Sequence, residues 1–235
     1  YFSIITLSLL GLYFIYNKAA KIDFKKSSLI KFKFGWLNLV VCIFIALITI
    51  FGFNSLINFF SYLMQTWGYS PDASLPLPLN NWWWLVLNLF VLAVLPAVCE
   101  EFIYRGIILN GFRKFGNVSA VVISALLFAL AHGSAMQFIY QFILGIILGF
   151  VVVKTGSLIA GMVVHFVNNA TVIIFNFINS SQGSASELNF TSTTIALAFV
   201  FAIVACGLLT LLIKILKERK GDNSPNVIYN SIKER

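Results

Sequence analysis

What this chain has little of is charge. Only 10% of its 235 residues are Asp, Glu, Lys or Arg while 60% are hydrophobic, against about a quarter charged in an average soluble domain. That excludes a water-soluble domain, and with it intrinsic disorder and collagen-like sequence, which need far more polar or glycine-rich composition. Cysteine is scarce and odd in number. Cys42, Cys99 and Cys206 sit in separate apolar runs, which excludes a disulfide framework and a cysteine metal set and leaves three small buried side chains. Acidic residues are also few, eight against sixteen basic ones, for a net charge of +8. Cations so diluted in Phe, Leu, Ile and Val cannot build a nucleic-acid face, so no nucleic-acid partner is expected and the excess must reflect membrane topology. There is no internal repeat and no low-complexity tract.

What is abundant is apolar sequence in runs of bilayer-crossing length: 1–16, 36–64, 83–104, 117–132, 136–153, 157–178 and 193–216. The fold class expected is all-α, a polytopic transmembrane helix bundle of about seven spans. The second run is too long for a simple crossing, and the polar residues of its tail, NSLINFFSYL, place part of it in the interface. Trp82, Trp83 and Trp84 open the third span where an aromatic belt would lie. Residues 1–16 have no basic stretch before them and several lysines after them, the reverse of a secretory signal. They read as a first span, and because the chain opens on Tyr1 rather than Met, some N-terminal sequence is expected to be missing. The divisions that follow are 1–82 for N-terminal spans and an interfacial segment, 83–178 for the core, 179–216 for the last span and 217–235 for a polar tail.

The basic residues sort by connection. Lys18, Lys21, Lys25, Lys26, Lys31 and Lys33 follow the first span; Arg105, Arg113 and Lys114 end the third; Lys154 follows the fifth; six more lie from Lys214 to Arg235. The opposite connections, 65–82, 133–135 and 179–192, hold only Asp72 and Glu187 as charged residues. By the positive-inside rule the lysine-rich side is cytoplasmic, giving a multi-pass protein of a cell membrane with its C-terminus inside.

Within the spans, ionisable side chains cost about 2.5–3.5 kcal/mol each to insert, so those present are functional candidates. They are Glu100, Glu101 and Arg105 in VLPAVCEEFIYRGIIL, His132 in FALAHG, and His165 with Asn168 and Asn169 in VVHFVNNATV. The histidines are the chain's only two. At 100° per residue Glu101 and Arg105 share a helix face and can neutralise each other, leaving Glu100 as the carboxylate without a local partner, the character a general base requires. His165 shares a face with Asn169, and Phe128 with His132. Pro96, one turn before Glu100, frees a backbone carbonyl and can kink the helix. At about 1.5 Å per residue, His165 lies about 12 Å from the cytoplasmic start of its helix and His132 about 22 Å; Glu100 lies about 18 Å deep if its helix runs to Phe112, and shallower if it stops near Tyr104. Gly145 and Gly149, as G-x-x-x-G, read as a close helix contact.

The ordered set Glu100-Glu101-x-x-x-Arg105, Phe128-x-x-x-His132 and His165-x-x-x-Asn169, each on its own apolar helix, resembles the CPBP family of intramembrane proteases. That family contains the type II CAAX prenyl endopeptidases and the Abi or bacteriocin self-immunity proteins. The resemblance covers 83–178, which it makes the catalytic core. It implies endopeptidase hydrolysis within the membrane, with Glu100 activating water, His132 binding or orienting it, and His165 and Asn169 donating to the oxyanion. Glu101 and Arg105 would hold the helix in register. The metal requirement stays open: Glu100, His132 and His165 can supply three zinc ligands, yet H-E-x-x-H is absent and zinc is not expected to be obligatory.

Serine and aspartyl intramembrane proteases fit less well, since neither a G-x-S-x-G-like motif nor paired membrane aspartates occur. A proton-coupled transporter would use the same residue types, but the inverted repeats usual there are missing. A non-catalytic immunity or scaffold protein is the third reading. The expected partners are the lipid bilayer and a membrane-anchored protein or peptide. Twelve Lys against four Arg, with abundant Asn, Ile and Phe, suggest an AT-rich bacterial genome, where processing of a peptide pheromone, a bacteriocin or a membrane regulator is a more natural substrate than a prenylated protein. The charge asymmetry makes a direct prediction: alkaline phosphatase fused after Arg235 in a bacterial host is expected to be inactive and a fluorescent protein at the same point bright. The reverse pattern would overturn the orientation.

Overall fold

The computed structural model describes scattered positions between 8 and 19 and residues 35–69, 78–180 and 191–216, and every element among them is a helix. The helices are α1 (Trp36–Thr66), α2 (Trp82–Phe115), α3 (Asn117–Ala131), α4 (Ala135–Thr155), α5 (Leu158–Ser180) and α6 (Ser192–Ile215). Six of the seven apolar runs thus become one helix each; the first run, the lysine-rich loop after it and the polar tail lie largely or wholly outside the described residues. Among the described residues five helices are long and apolar enough to cross a bilayer, and α3, at 15 residues, is the short one. At about 1.5 Å per residue, α3 is only about 22 Å long, less than the roughly 30 Å hydrocarbon core. The 31 residues of α1 reach about 46 Å and must tilt or project beyond it.

α2 is not a uniform helix. α-Helical turns at Trp82–Asn88 and Leu95–Glu101 alternate with wider π-helical stretches at Leu89–Val94 and Phe102–Leu109. Asn81 caps its start by accepting from the Trp84 N–H at 3.1 Å, and Trp82 and Trp83 stay exposed at 72% and 84% where an interfacial belt belongs. The helix runs without interruption past Glu100 to Phe115, so Glu100 sits near its middle, the deeper of the two positions compatible with sequence.

α5 is the hub, packing on α1, α2 and α4, while α6 lies outermost against α1. α3 and α4 form a tight hairpin whose second arm carries the two glycines. A Cβ on Gly145 would stand 2.9 Å from Ala125 Cα, and one on Gly149 2.9 Å from a Val121 methyl, so both positions are closed to larger side chains by the neighbouring helix. The main apolar core joins Val41, Ile45, Leu144, Leu148 and Val164 of α1, α4 and α5, and a second cluster around Phe102, Phe128, Val152 and Leu158 seals the site described next. Phe44, Phe51, Val200, Phe201 and Ile203 point outward, as lipid-facing side chains do. Overpacking the α3–α4 contact should cost about 1–3 kcal/mol. Gly145→Leu is therefore expected to lower the unfolding midpoint in detergent, whereas Gly207→Leu, with open space around its Cβ, leaves it in place.

Candidate functional site

At mid-length of α2 two adjacent carboxylates turn towards α5. Glu101 is wholly buried and accepts from Arg105 Nη1 at 2.6 Å, one helical turn on. Arg105, itself fully buried, reaches past it to donate through Nη2 to the Gly145 carbonyl on α4 at 3.1 Å. Its guanidinium carbon lies 4.6 Å from the centre of the Phe128 ring, a cation–π contact in a water-poor interior. The pairing expected from i, i+4 spacing is present, with an added partner on another helix.

His165 enters from α5 at 2% exposure, with Nδ1 3.1 Å from Glu101 Oε1 and Nε2 3.9 Å from Glu100 Oε2. The two carboxylates, rotated apart on their own helix, thus reach opposite nitrogens of one imidazole. The space for this is made by Gly161, one turn before His165: a Cβ there would fall 2.6 Å from Glu101 Oε2 and 2.8 Å from a Val152 methyl. Glu100 is 6% exposed, and its Oε2 has no hydrogen-bond partner among the described residues. A separation of 3.9 Å is beyond a direct hydrogen bond.

His132 caps the end of α3 and is half-buried, with Nδ1 2.8 Å from the Phe128 carbonyl. A carbonyl only accepts, so Nδ1 carries the proton and a neutral His132 presents Nε2 as an acceptor. Phe128 stands between the histidines, edge-on to both: 4.8 Å from the His132 ring centre and 5.7 Å from that of His165. Tyr104 closes the other side of Phe128 at 5.2 Å, and Ser124 donates to the Tyr104 carbonyl at 2.7 Å, tying α3 to α2.

Asn169 faces α2 as well, but at Leu92, whose carbonyl accepts from its Nδ2 at 3.2 Å. Asn168 Nδ2 donates to Asn169 Oδ1 at 3.3 Å, and the Tyr140 hydroxyl of α4 donates to Asn168 Oδ1. Neither Tyr140 nor Gly161 stood out in the sequence. The only signals there are a lone tyrosine in the apolar stretch FIYQFILG and a glycine one turn before His165. Among the described residues no group of three or more His, Cys, Asp or Glu side chains is close enough to hold a metal ion, so Glu100, His132 and His165 are not disposed as a ready zinc cage.

Comparison with known proteins bears on the same segment. Residues 82–171 match the family model described as type II CAAX prenyl endopeptidase Rce1-like. Over 98 residues the chain is 28% identical to a protein of Staphylococcus aureus (strain USA300) named membrane-embedded CAAX protease MroQ, covering 39% of this chain and 40% of that protein. The matched stretch is therefore less than half the length of that relative. No solved structure matches.

Arg105 is the residue on which the buried charges balance. Removing one partner of a buried pair costs about 3–5 kcal/mol, because the other is left uncompensated. Arg105→Leu should lower the unfolding midpoint strongly in detergent, and adding Glu101→Leu should recover part of the loss. A double variant as unstable as the sum of the singles would count against the pairing.

Proposed function

We propose, on the premise that this chain belongs through residues 82–171 to the CPBP family of intramembrane proteases that includes the type II CAAX prenyl endopeptidases, that it hydrolyses peptide bonds of membrane-anchored proteins or peptides with Glu100 as the base. The observation that carries this is the position of Glu100: a buried carboxylate at mid-span, its Oε2 unpartnered and 3.9 Å from His165 Nε2, a gap one water can bridge. The neighbouring Glu101 instead holds Arg105 and His165 through its Oε1.

In this reading Glu100 takes a proton from that water as its oxygen bonds to the peptide carbonyl carbon. The carbonyl π bond opens to an oxyanion. His165, with both nitrogens protonated, gives one N–H to Glu101 and directs the other at the developing charge, the kind of fixed donor that usually contributes most in acyl transfer. His132 Nε2, an acceptor when its Nδ1–H is held by Phe128, orients the water. The oxyanion then collapses, the C–N bond breaks, and Glu100 returns its proton to the leaving amine. No step needs a metal. The Glu101–Arg105 pair holds His165 in orientation and keeps net charge at the site low.

Glu100→Gln preserves shape and removes the base. The variant is expected to insert and unfold as the native chain does, while cleavage of a membrane-anchored peptide in liposomes falls by about 10²–10⁴-fold. In the same assay a strong chelator and added zinc should leave the native rate unchanged. Full cleavage by the variant would end this reading, and pH-gradient-driven transport in those liposomes would favour a proton-coupled transporter instead.

A further inference from the structure

α3 stops early. Its 15 residues end at Ala131, whereas α1 runs for 31, and the last turns of α1 lie opposite the reversal into α4 rather than against a helix of full length. Gly133 makes that reversal at φ +66°, a conformation few side chains adopt, and a Cβ there would meet nothing within 4 Å. Between the two lies an open apolar recess of about 370 Å³, lined chiefly by Phe60 and Met64 of α1, Ala129 and Leu130 of α3, Gly133 of the turn and Phe138 of α4. The Ser134 hydroxyl, also on its wall, already caps α4 by accepting from the Gln137 N–H at 3.3 Å.

Position ties the recess to the site. Ala129, Leu130 and Gly133 flank His132 in the chain, and at 100° per residue Ala129 sits about 60° around α3 from it, so recess and histidine share the end of one helix on neighbouring faces. The lining then says what fits. No charged side chain contributes to it, so a charged occupant would lose its hydration without compensation. Two phenylalanine rings and a thioether are surfaces that favour an aromatic partner. An apolar cavity of about 150 Å³ takes a benzene ring, which leaves this one room for a ring and the linkage that carries it. Its two α1 residues, Phe60 and Met64, lie outside the family-matched stretch 82–171, whereas Glu100, His132 and His165 lie inside it. The reacting groups and this wall of the recess thus come from different parts of the chain.

We propose that the recess is a specificity subsite for an aromatic side chain on one of the two residues joined by the scissile bond, with Phe60 and Met64 of α1 as its specificity-determining residues. Consecutive Cα atoms are about 3.8 Å apart, so a peptide carbonyl facing the water at His132 brings its neighbouring side chains to the turn that carries the recess. The inference rests on the hydrolytic reading and narrows its substrate class to membrane-anchored peptides with Phe, Tyr or Trp at the cleavage point.

The test uses the full chain in liposomes and membrane-anchored peptides that differ only in carrying Phe, Leu or Ala at each position flanking the bond. At one of the two positions kcat/KM should be about 30-fold higher for Phe than for Ala and about threefold higher for Phe than for Leu. Met64→Trp fills the recess and should bring the Phe-to-Ala ratio to about two or less; Phe60→Ala widens it and should raise the naphthylalanine-to-Phe ratio about tenfold. Ratios within one variant are insensitive to the fraction of folded protein. Ratios that neither variant moves, or a Phe preference of twofold or less at both positions, would overturn the proposal and leave the recess to lipid acyl chains. A second readout needs no turnover. The same peptide with benzoylphenylalanine in place of Phe, irradiated with the Glu100→Gln chain, should become attached at Phe60, Met64 or Phe138. Attachment elsewhere, or to lipid alone, would overturn the subsite even if the native chain cleaves; attachment there without cleavage by the native chain would uphold the subsite and end the hydrolytic reading.

Discussion

The Glu101 carboxylate, fully enclosed in an apolar bundle, is tolerable only because two donors converge on one of its oxygens, Arg105 from its own helix and His165 from α5. Isolated charge in such surroundings would cost many kcal/mol. Each donor then brings a further helix with it. Arg105 cannot reach Glu101 and leave its second terminal nitrogen bare, and the Gly145 carbonyl of α4 satisfies it. That carbonyl is accessible because α3 and α4 meet at glycine and alanine, without side chains in between. The ring of Phe128, on α3, covers the guanidinium. One buried ion pair therefore sets the mutual positions of α2, α3, α4 and α5, and the apolar clusters fill the shape it imposes.

Within that frame the departures of α2 from regular helix have a purpose. π-Helical turns widen the backbone and rephase the side chains that follow. Here they flank the short α-helical stretch Leu95–Glu101 that carries Pro96, Glu100 and Glu101. Two adjacent residues on one helix would ordinarily look in directions 100° apart. They nevertheless serve one imidazole, because His165 lies across the groove between them and its nitrogens diverge. The two carboxylates end with different surroundings: Glu101 is doubly paired and Glu100 is not. That asymmetry, more than the presence of a Glu-Glu pair, makes one of them available for proton transfer.

Much of the arrangement was legible from spacing. The Glu101–Arg105 pair needs only i, i+4 geometry, and the Gly145–Gly149 contact only the small-residue rule for membrane helices. The apolar runs marked the described helices to within about two residues at each end, except that α2 continues eleven residues past the run at 83–104, because the cost of unpaired backbone in lipid leaves few other solutions. Less was legible where partners come from distant sequence. Tyr140 is 28 residues from Asn168, and Asn169 is 77 from Leu92. No periodicity links such pairs.

What the sequence determined by itself is therefore the medium, the class and the shortlist: an apolar helical bundle whose few polar side chains in the spans are the residues to explain. It could do so because burying charge in hydrocarbon is so unfavourable that each exception carries information. The tertiary structure decided how those exceptions are partnered. It engaged Glu101 and left Glu100 without a direct hydrogen bond among the described residues, turned Asn169 towards a backbone carbonyl, and brought in Gly161 and Tyr140, because hydrogen bonds and close contacts are fixed by distances between helices that chain order does not encode.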